Sequence, residues 1–333
     1  MKALLSYETG GPETLKIGEV DTPDVKPGHV RVAVKACAIN YPDVLIIVDQ
    51  YQFKPERPFA PGGEVSGVID AVGEGVTDFE VGDRVLAMCG NGGLSEYIVT
   101  PATSAFKLPD TVSFEDGSAM ILTYGTTIHA LQDRGDLKEG ENLLVLGAAG
   151  GVGMAAVEIG KAMGARVIGA VSSEEKAQAV RDIGADETII YDRGPLDRDA
   201  QKALSAQFKE LGGSQGMNVI YDAVGGDYCE PALRSIAWEG RYLVIGFPAG
   251  IPKLPLNLTL LKSCDVRGVF WGAFAARDPQ HNRANIDKLF DWWAEGKISP
   301  QVTEVFPFEQ GGDAIAKMGA RKAIGKLVVK VAD

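Results

Sequence analysis

Apolar positions along this chain follow two different rhythms, and the change between them divides the sequence. Up to about Pro109, short runs rich in β-branched residues, such as 29–38 and 63–72, are separated by Gly- and Pro-containing turns. That pattern predicts a compact β-rich module. Residues 113–134 then carry apolar side chains at helical spacing and predict one helix. Beyond it, strand-like runs at 143–146, 166–171, 187–191, 218–222, 242–246 and 266–270 are mostly separated by helical stretches. Strands covered on both faces read as continuous apolar runs, so the alternation predicts a doubly wound parallel sheet. Residues 283–295 predict a further helix, and 325–331 a last strand that rejoins the first module.

The most informative stretch is 143–164, LLVLGAAGGVGMAAVEIGKAMG, which joins a buried strand to a helix at 152–163 through small residues. Ala148, Gly150 and Gly153 occupy the three small-residue positions of a dinucleotide-binding turn, with Ala149, Gly151 and Val152 filling it. Gly150 would let the backbone approach a pyrophosphate, Gly153 would let helix and strand pack closely, and the helix N-terminus would offer its N–H groups to the phosphates. The second strand ends in Ala170, Val171, Ser172 and Ser173, where an NAD site normally carries Asp or Glu on the ribose. No carboxylate stands there to repel a 2′-phosphate, and two hydroxyls and Lys176 are available to bind one, which points to NADPH. Two alternatives remain open at this level. Ser172 with Glu175 also spells a helix capping box, with Lys176 then a solvated helix residue, and a slip in strand register would make Glu174 the ribose ligand.

Composition narrows the rest. A length of 333 residues fits about two domains, and 45% hydrophobic residues suffice for sizeable cores. No apolar run reaches the roughly 18 residues that cross a bilayer, and Met1-Lys2-Ala3 leads straight into strand-like sequence without a signal-peptide core, so a cytoplasmic location is expected. Cys37, Cys89, Cys229 and Cys264 are scattered without metal or redox spacing and read as free thiols. A net charge of −12 speaks against a surface that tracks nucleic-acid phosphates. The expected partner is a small molecule.

Several segments carry a family resemblance over essentially the whole chain: KACAINYPDVL at 35–45, PGGEVSGVIDAVGEGV at 61–76, VGDRV at 81–85, GGLSEYIV at 92–99, LGAAGGVG at 146–153, YDAVGG at 221–226 and GKLVV near the C-terminus. The sequence resembles the medium-chain dehydrogenase/reductases, and within them the zinc-free NADPH:quinone oxidoreductases, the zeta-crystallin-like branch. The resemblance implies an α/β fold: a GroES-like β-rich catalytic domain plus a Rossmann doubly wound parallel-sheet domain. It places the first part of the catalytic domain in 1–120, the NADPH-binding domain in 121–260, and the end of the Rossmann sheet with the return to the catalytic domain in 261–333. It also implies a homodimer or homotetramer.

In the zinc alcohol dehydrogenases of this superfamily, a Cys and a His hold the catalytic metal where this chain has Asn40 and Gly63, and the four-Cys structural lobe is reduced to Cys89 in 88–95. Amide and glycine are poor replacements for thiolate and imidazole, and His29, His129 and His281 suggest no other zinc cluster, so no metal is expected. The resemblance places Asn40, Tyr41, Tyr51 and Thr123 facing nicotinamide and substrate, with Phe270, Trp271 and Gly272 in a segment closing over them. It extends the cofactor contacts to Tyr191, Gly246, Gly325 and Lys326. Asn40 and Tyr51 are the expected catalytic residues. From the residues alone, Asn40 also reads as a turn residue, Thr123 as a helix hydroxyl, and Tyr51 and Trp271 as packing aromatics. The implied activity is reduction of a quinone by NADPH. One alternative is reduction of an activated C=C bond in an enal, enone or enoyl thioester; the other, of a different class, is a nucleotide-binding structural or regulatory protein without turnover.

Overall fold

The computed structural model describes residues 1–332. The chain forms two units, the first made of Met1–Leu122 with the segment from Pro300 onward, the second of Thr123–Ser299. The return to the first unit thus falls at Pro300.

In the first unit, β1 (Lys2–Leu5) and β2 (Lys16–Glu19) make a two-stranded antiparallel ribbon. A larger sheet is built on β3 (His29–Ile39), which pairs antiparallel with β4 (Glu64–Val72). β5 (Arg84–Met88), β6 (Tyr97–Pro101) and β7 (Ala105–Lys107) extend it. Along β3, Val30, Val32 and Val34 are buried while the residues between them are partly exposed, which is the period-two alternation of a strand with one covered face. Two short helices border this sheet, α1 (Tyr41–Ile46) directly after β3 and α2 (Phe114–Ser118), capped by the Ser113 hydroxyl, which accepts from Asp116 N at 3.0 Å.

The single helix expected over 113–134 is three pieces: α2, α3 (Ile121–Ile128) and a π-helical stretch His129–Arg134. The first break has a visible cause. Leu122 donates its N–H to a Glu64 carboxylate oxygen at 2.8 Å rather than to a carbonyl one turn back, so the helical ladder is interrupted there.

The second unit contains a six-stranded parallel sheet of β8 (Asn142–Leu146), β9 (Arg166–Val171), β10 (Glu187–Ile190), β11 (Met217–Asp222), β12 (Ile236–Val244) and β13 (Asp265–Gly268). Its order is β10-β9-β8-β11-β12-β13. Crossovers are made by α4 (Gly151–Ala162), α5 (Glu174–Asp182), α6 (Arg198–Gly212), α7 (Cys229–Leu233) and α8 (Leu256–Lys262). α9 (Trp271–Arg277) and α10 (Pro279–Ala294) follow β13. Leu143, Leu144, Val145 and Leu146 are all fully buried, each contributing about 1.5–3 kcal/mol, which is why β8 reads as an unbroken apolar run. β12 starts six residues before the expected 242, because Trp238-Glu239-Gly240 looks like a turn; Glu239 takes a left-handed φ of +56° and the ladder to β11 shifts register there without ending. Strand order reverses beside β8, and in such sheets the carboxyl ends at the reversal form the ligand crevice.

The chain closes on the first unit with β14 (Val302–Pro307), α11 (Gly311–Gly319) and β15 (Lys326–Lys330). β15 pairs antiparallel with β3, Leu327 opposite Ile39 and Val329 opposite Cys37, so the last strand joins the first module as expected.

Candidate active site

In the second unit the candidate nucleotide site lies where β8 runs into α4. Gly147 turns the chain with a φ of +73°, which side chains rarely adopt. A Cβ on Gly153 would lie 2.2 Å from the Gly147 carbonyl oxygen and 2.8 Å from Ala148 backbone carbon, so only glycine lets the helix approach the turn this closely. Gly150 differs. A Cβ there would meet its nearest neighbour at an ordinary 3.5 Å, so the protein's own packing does not require glycine at this position. Gly150 is the N-cap of α4 and no side chain caps it, which leaves first-turn N–H groups for an anion. Ala148 and Ala149 are buried, and Gly151, Val152 and Gly153 form the first turn of α4.

Gly147, Ala149, Gly150, Val171, Ser172, Lys176 and Tyr191 line one pocket at the ends of β8 and β9. Of the expected turn residues, Ala149 and Gly150 therefore meet Ser172, Lys176 and Tyr191 in space, while Ala148, Gly151, Val152, Gly153 and Ser173 are not part of that lining. β9 sits in the expected register, from Asn142 opposite Arg166 to Leu146 opposite Ala170, so Glu174 is not the strand-end residue; it opens α5 and its carboxylate pairs with Arg181. The capping reading of Ser172 is corrected. Ser173 is the N-cap, its hydroxyl accepting from Lys176 N at 3.3 Å, and Ser172 is left lining the pocket.

The other expected residues of this unit lie outside that lining. Gly246 donates its N–H to Asp222 O at 3.3 Å. Trp271 opens α9, is buried, donates its indole N–H to Asn282 Oδ1 at 2.8 Å, and packs so closely on Gly125 that a Cβ there would lie 2.9 Å from its ring. Phe270 is half exposed, and Gly272 has open space around its Cα. Thr123 is buried on α3; one turn on, the Thr127 hydroxyl meets Tyr221 OH at 2.9 Å.

The first unit carries a buried polar cluster. Asn40 follows β3 and is the N-cap of α1: its backbone N–H donates to Asp43 Oδ2 at 2.7 Å, and the Asp43 N–H donates to the Asn40 backbone carbonyl at 3.0 Å. Asp43 Oδ1 accepts from Gly62 N at 2.9 Å, tying α1 to the turn before β4. Lys326 Nζ donates to Asn40 Oδ1 at 2.6 Å and to Glu64 Oε2 at 3.2 Å, while Asn40 Nδ2 donates to Glu64 Oε2 at 3.1 Å and Ala38 O at 3.3 Å. Asn40, Asp43, Glu64 and Lys326 are all at most 5% exposed. Burial raises the Asp43 carboxyl from 3.8 to about 6, against the pull of the two N–H bonds and the Lys326 charge. Burial also pushes the Cys89 thiol up to about 12 and Cys37 well above its ordinary value, so both stay protonated and inert.

Tyr51 is half-buried beside this cluster, its ring 6.1 Å from that of Phe53. Burial, and then the Asp43 charge, raise its phenol above the usual value, so it keeps its proton at neutral pH. Tyr41, at the start of α1, is partly exposed. Gly325 turns into β15 with a φ of +62°, and Lys326, expected among the cofactor contacts, has its ammonium turned to Asn40 and Glu64. Sequence reasoning named Asn40 and Lys326 but missed Asp43 and Glu64. The spacing Asn40-x-x-Asp43 spells the capping box and gave a signal; Glu64 gave none, because its partners come from distant segments.

Comparison with known proteins decides the family. Residues 26–110 match the alcohol dehydrogenase GroES-like domain and 151–291 the family described as zinc-binding dehydrogenase. A Nematostella vectensis protein named quinone oxidoreductase-like protein 2 homolog is 38% identical over 332 residues, covering 98% of this chain and 88% of its own. The chain belongs to the medium-chain dehydrogenase/reductases, in their zinc-free quinone oxidoreductase type. A quinone oxidoreductase of Pseudomonas aeruginosa is 34% identical, with 96% of each chain covered. Among solved structures, Escherichia coli quinone oxidoreductase complexed with NADPH superposes with a TM-score of 0.90 at 28% identity, covering 99% of this chain and all of that one.

One family description names zinc, and the residues do not fit it. Where zinc enzymes of the superfamily place ligands, Gly63 offers no side chain and Asn40 Oδ1 already accepts from the Lys326 ammonium. A metal cation would have to displace a fixed positive charge. Among the described residues no group of three His, Cys, Asp or Glu side chains is placed to hold one. The strand-end residues, by contrast, suit the phosphates of a dinucleotide: small residues at the turn, an uncapped helix N-terminus, and Ser172 with Lys176 in place of a carboxylate.

Proposed function

We propose that the protein is an NADPH-dependent oxidoreductase whose acceptor is a quinone. The observation that supports this reading is Asn40, at a position where zinc enzymes of the superfamily carry a metal ligand, with its side-chain amide already held by Lys326 and Glu64. Oxidising a simple alcohol calls for a Lewis acid on its oxygen, whereas a quinone accepts a hydride without strong carbonyl activation. NADPH supplies the hydride. The first turn of α4 would hold its pyrophosphate, and Ser172 and Lys176 would hold its 2′-phosphate. Asn40 and Tyr51 orient the acceptor, and the hydroquinone anion takes its proton from Tyr51 or from water.

Tyr51 supports a second reading. Its half-buried phenol carries a proton that could quench an enolate, the need of an enal, enone or enoyl-thioester reductase.

One experiment tests both the nucleotide and the acceptor: turnover with NADPH and NADH against quinones, enals, enones and enoyl thioesters, with nucleotide affinities from fluorescence titration. Quinones with NADPH should give the highest kcat/KM. Lys176→Gln should weaken NADPH about tenfold, the worth of a charged hydrogen bond, and leave NADH nearly unchanged. Equal affinity of the parent for both nucleotides would sink the nucleotide assignment, and preference for alkenes would replace the acceptor.

A further inference from the structure

The C-terminal strand brings to the first unit a charge that lies 286 positions from its partner in sequence. Lys326 opens β15 with its side chain 3% exposed, and the Glu64 side chain it faces is fully buried. The other Glu64 oxygen is occupied by Leu122 N at 2.8 Å. Stability does not explain why this position is ionic. A buried ion pair returns little over well-packed apolar residues of similar volume, because desolvating both ions offsets their attraction. The pair is tied instead to buried polar groups around it, the Asn40 amide and the Leu122 N–H.

What the pair does to Asn40 is specific. An amide has two orientations of nearly the same shape, differing only in which end accepts. With the ammonium on Oδ1 and the carboxylate on Nδ2, one orientation is attractive at both ends and the flipped one is repulsive at both. The Asn40 backbone N–H also seats Asp43, which fixes the start of α1, the helix leading toward Tyr51. We propose that Lys326 and Glu64 are positioning residues: their ion pair locks the amide of Asn40 in one orientation and sets the start of α1, so that turnover depends on the pair while nucleotide binding does not. This rests on the oxidoreductase reading, in which Asn40 and Tyr51 face the acceptor.

The test compares Lys326→Met, Glu64→Gln, the double variant and Lys326→Arg with the parent for thermal stability, NADPH affinity, kcat and acceptor KM. Either neutralising single change leaves an uncompensated buried charge and should lower the melting temperature; the double variant leaves none and should recover most of it. In the double variant kcat should remain about tenfold or more below the parent, the cost of a misplaced group, with NADPH affinity within about twofold. Lys326→Arg, which keeps the charge, should restore part of kcat. If kcat recovers together with stability in the double variant, the pair is structural and the proposal fails. If NADPH affinity falls as much as kcat, Lys326 is a cofactor ligand and the proposal fails as well. Should the single variants not fold, the double and Lys326→Arg carry the test. A parent inactive with every acceptor would overturn the oxidoreductase reading and this inference with it, whereas an active parent matched by the double variant overturns only this inference.

Discussion

The two units prepare their chemistry with different materials. The turn of the second unit works with backbone, a left-handed Gly147, an uncapped α4 N-terminus and positions where a side chain is missing, and only beside it do the Ser172 and Lys176 side chains enter. The first unit works with side chains, and its cluster of Asn40, Asp43, Glu64 and Lys326 is buried and charged. A backbone site recognises what every dinucleotide shares, because N–H groups and free space do not distinguish one anion from another. A side-chain cluster can be retuned residue by residue, which is how a superfamily can keep its nucleotide site while the acceptor changes.

The largest effect expected from this contrast comes from two glycines of one turn that serve different ends. Gly153→Ala puts a Cβ 2.2 Å from a carbonyl oxygen, and backbone cannot step aside cheaply. It should cost about 3 kcal/mol or more, the upper range for overpacking, and abolish nucleotide binding as a consequence. Gly150→Ala finds room at 3.5 Å and a φ of −83° that alanine adopts, so it should melt within a few degrees of the parent yet bind NADPH at least tenfold more weakly. Melting curves and titrations of the two variants decide it. If both lose stability equally, the space above Gly150 serves the fold rather than a ligand.

The same contrast explains what could be read without coordinates. The turn was legible because its meaning is local: small residues at fixed offsets between an apolar run and a helical one allow few other structures. The parallel sheet was legible for a similar reason, since fully buried strands such as β8 carry no polar interruptions. The start of β12 was not, because a left-handed Glu239 inside a strand imitates a turn. Nor was the break between α2 and α3, whose cause is a Glu64 oxygen far away in sequence. In the first unit's cluster, Asp43 went unread although capping imposes its spacing from Asn40. Lys326 was named from the resemblance, but its ion pair with Glu64 spans 262 positions and leaves no periodic trace.

A smaller and pH-dependent effect should come from Asp43. Its carboxyl is raised from 3.8 to about 6 in the folded protein, chiefly by burial, so the native state holds this proton more tightly than the unfolded chain. The stability it contributes is fully present below about pH 4 and is lost as pH rises through about 6. The difference between those values is worth about 3 kcal/mol at most. Asp43→Asn cannot ionise. It should be less stable than the parent at low pH, because its amide N–H opposes one of the two backbone donors, and the gap should narrow as pH rises from 4 to 7. Lowered carboxylates such as Asp133 and Asp186 give the opposite slope in both proteins and cancel in the comparison. Melting temperatures of the pair across that range check it; a constant gap would mean that Asp43 is ionised in the fold throughout.

The smallest effect expected is also the one that separates acceptors. Tyr51→Phe keeps the ring against Phe53 and removes only the hydroxyl. With a quinone, the anion left after hydride transfer is stable enough to collect its proton from water, so turnover should fall less than about threefold, well below the usual worth of a positioned acid. With an enal or enoyl thioester, the enolate must be protonated where it forms, and the same change should cost ~100-fold or more. NADPH affinity should stay near that of the parent in both cases, because the nucleotide pocket is built by residues of the other unit. Stopped-flow turnover of the variant with one acceptor of each class makes the comparison within a single protein. Equal small losses for both classes would leave Tyr51 as a packing aromatic and remove the specific support for alkene reduction, whereas a large loss with quinones would mean that the first unit does perform acid catalysis on them, and that its side chains contribute more to the reaction than orientation alone.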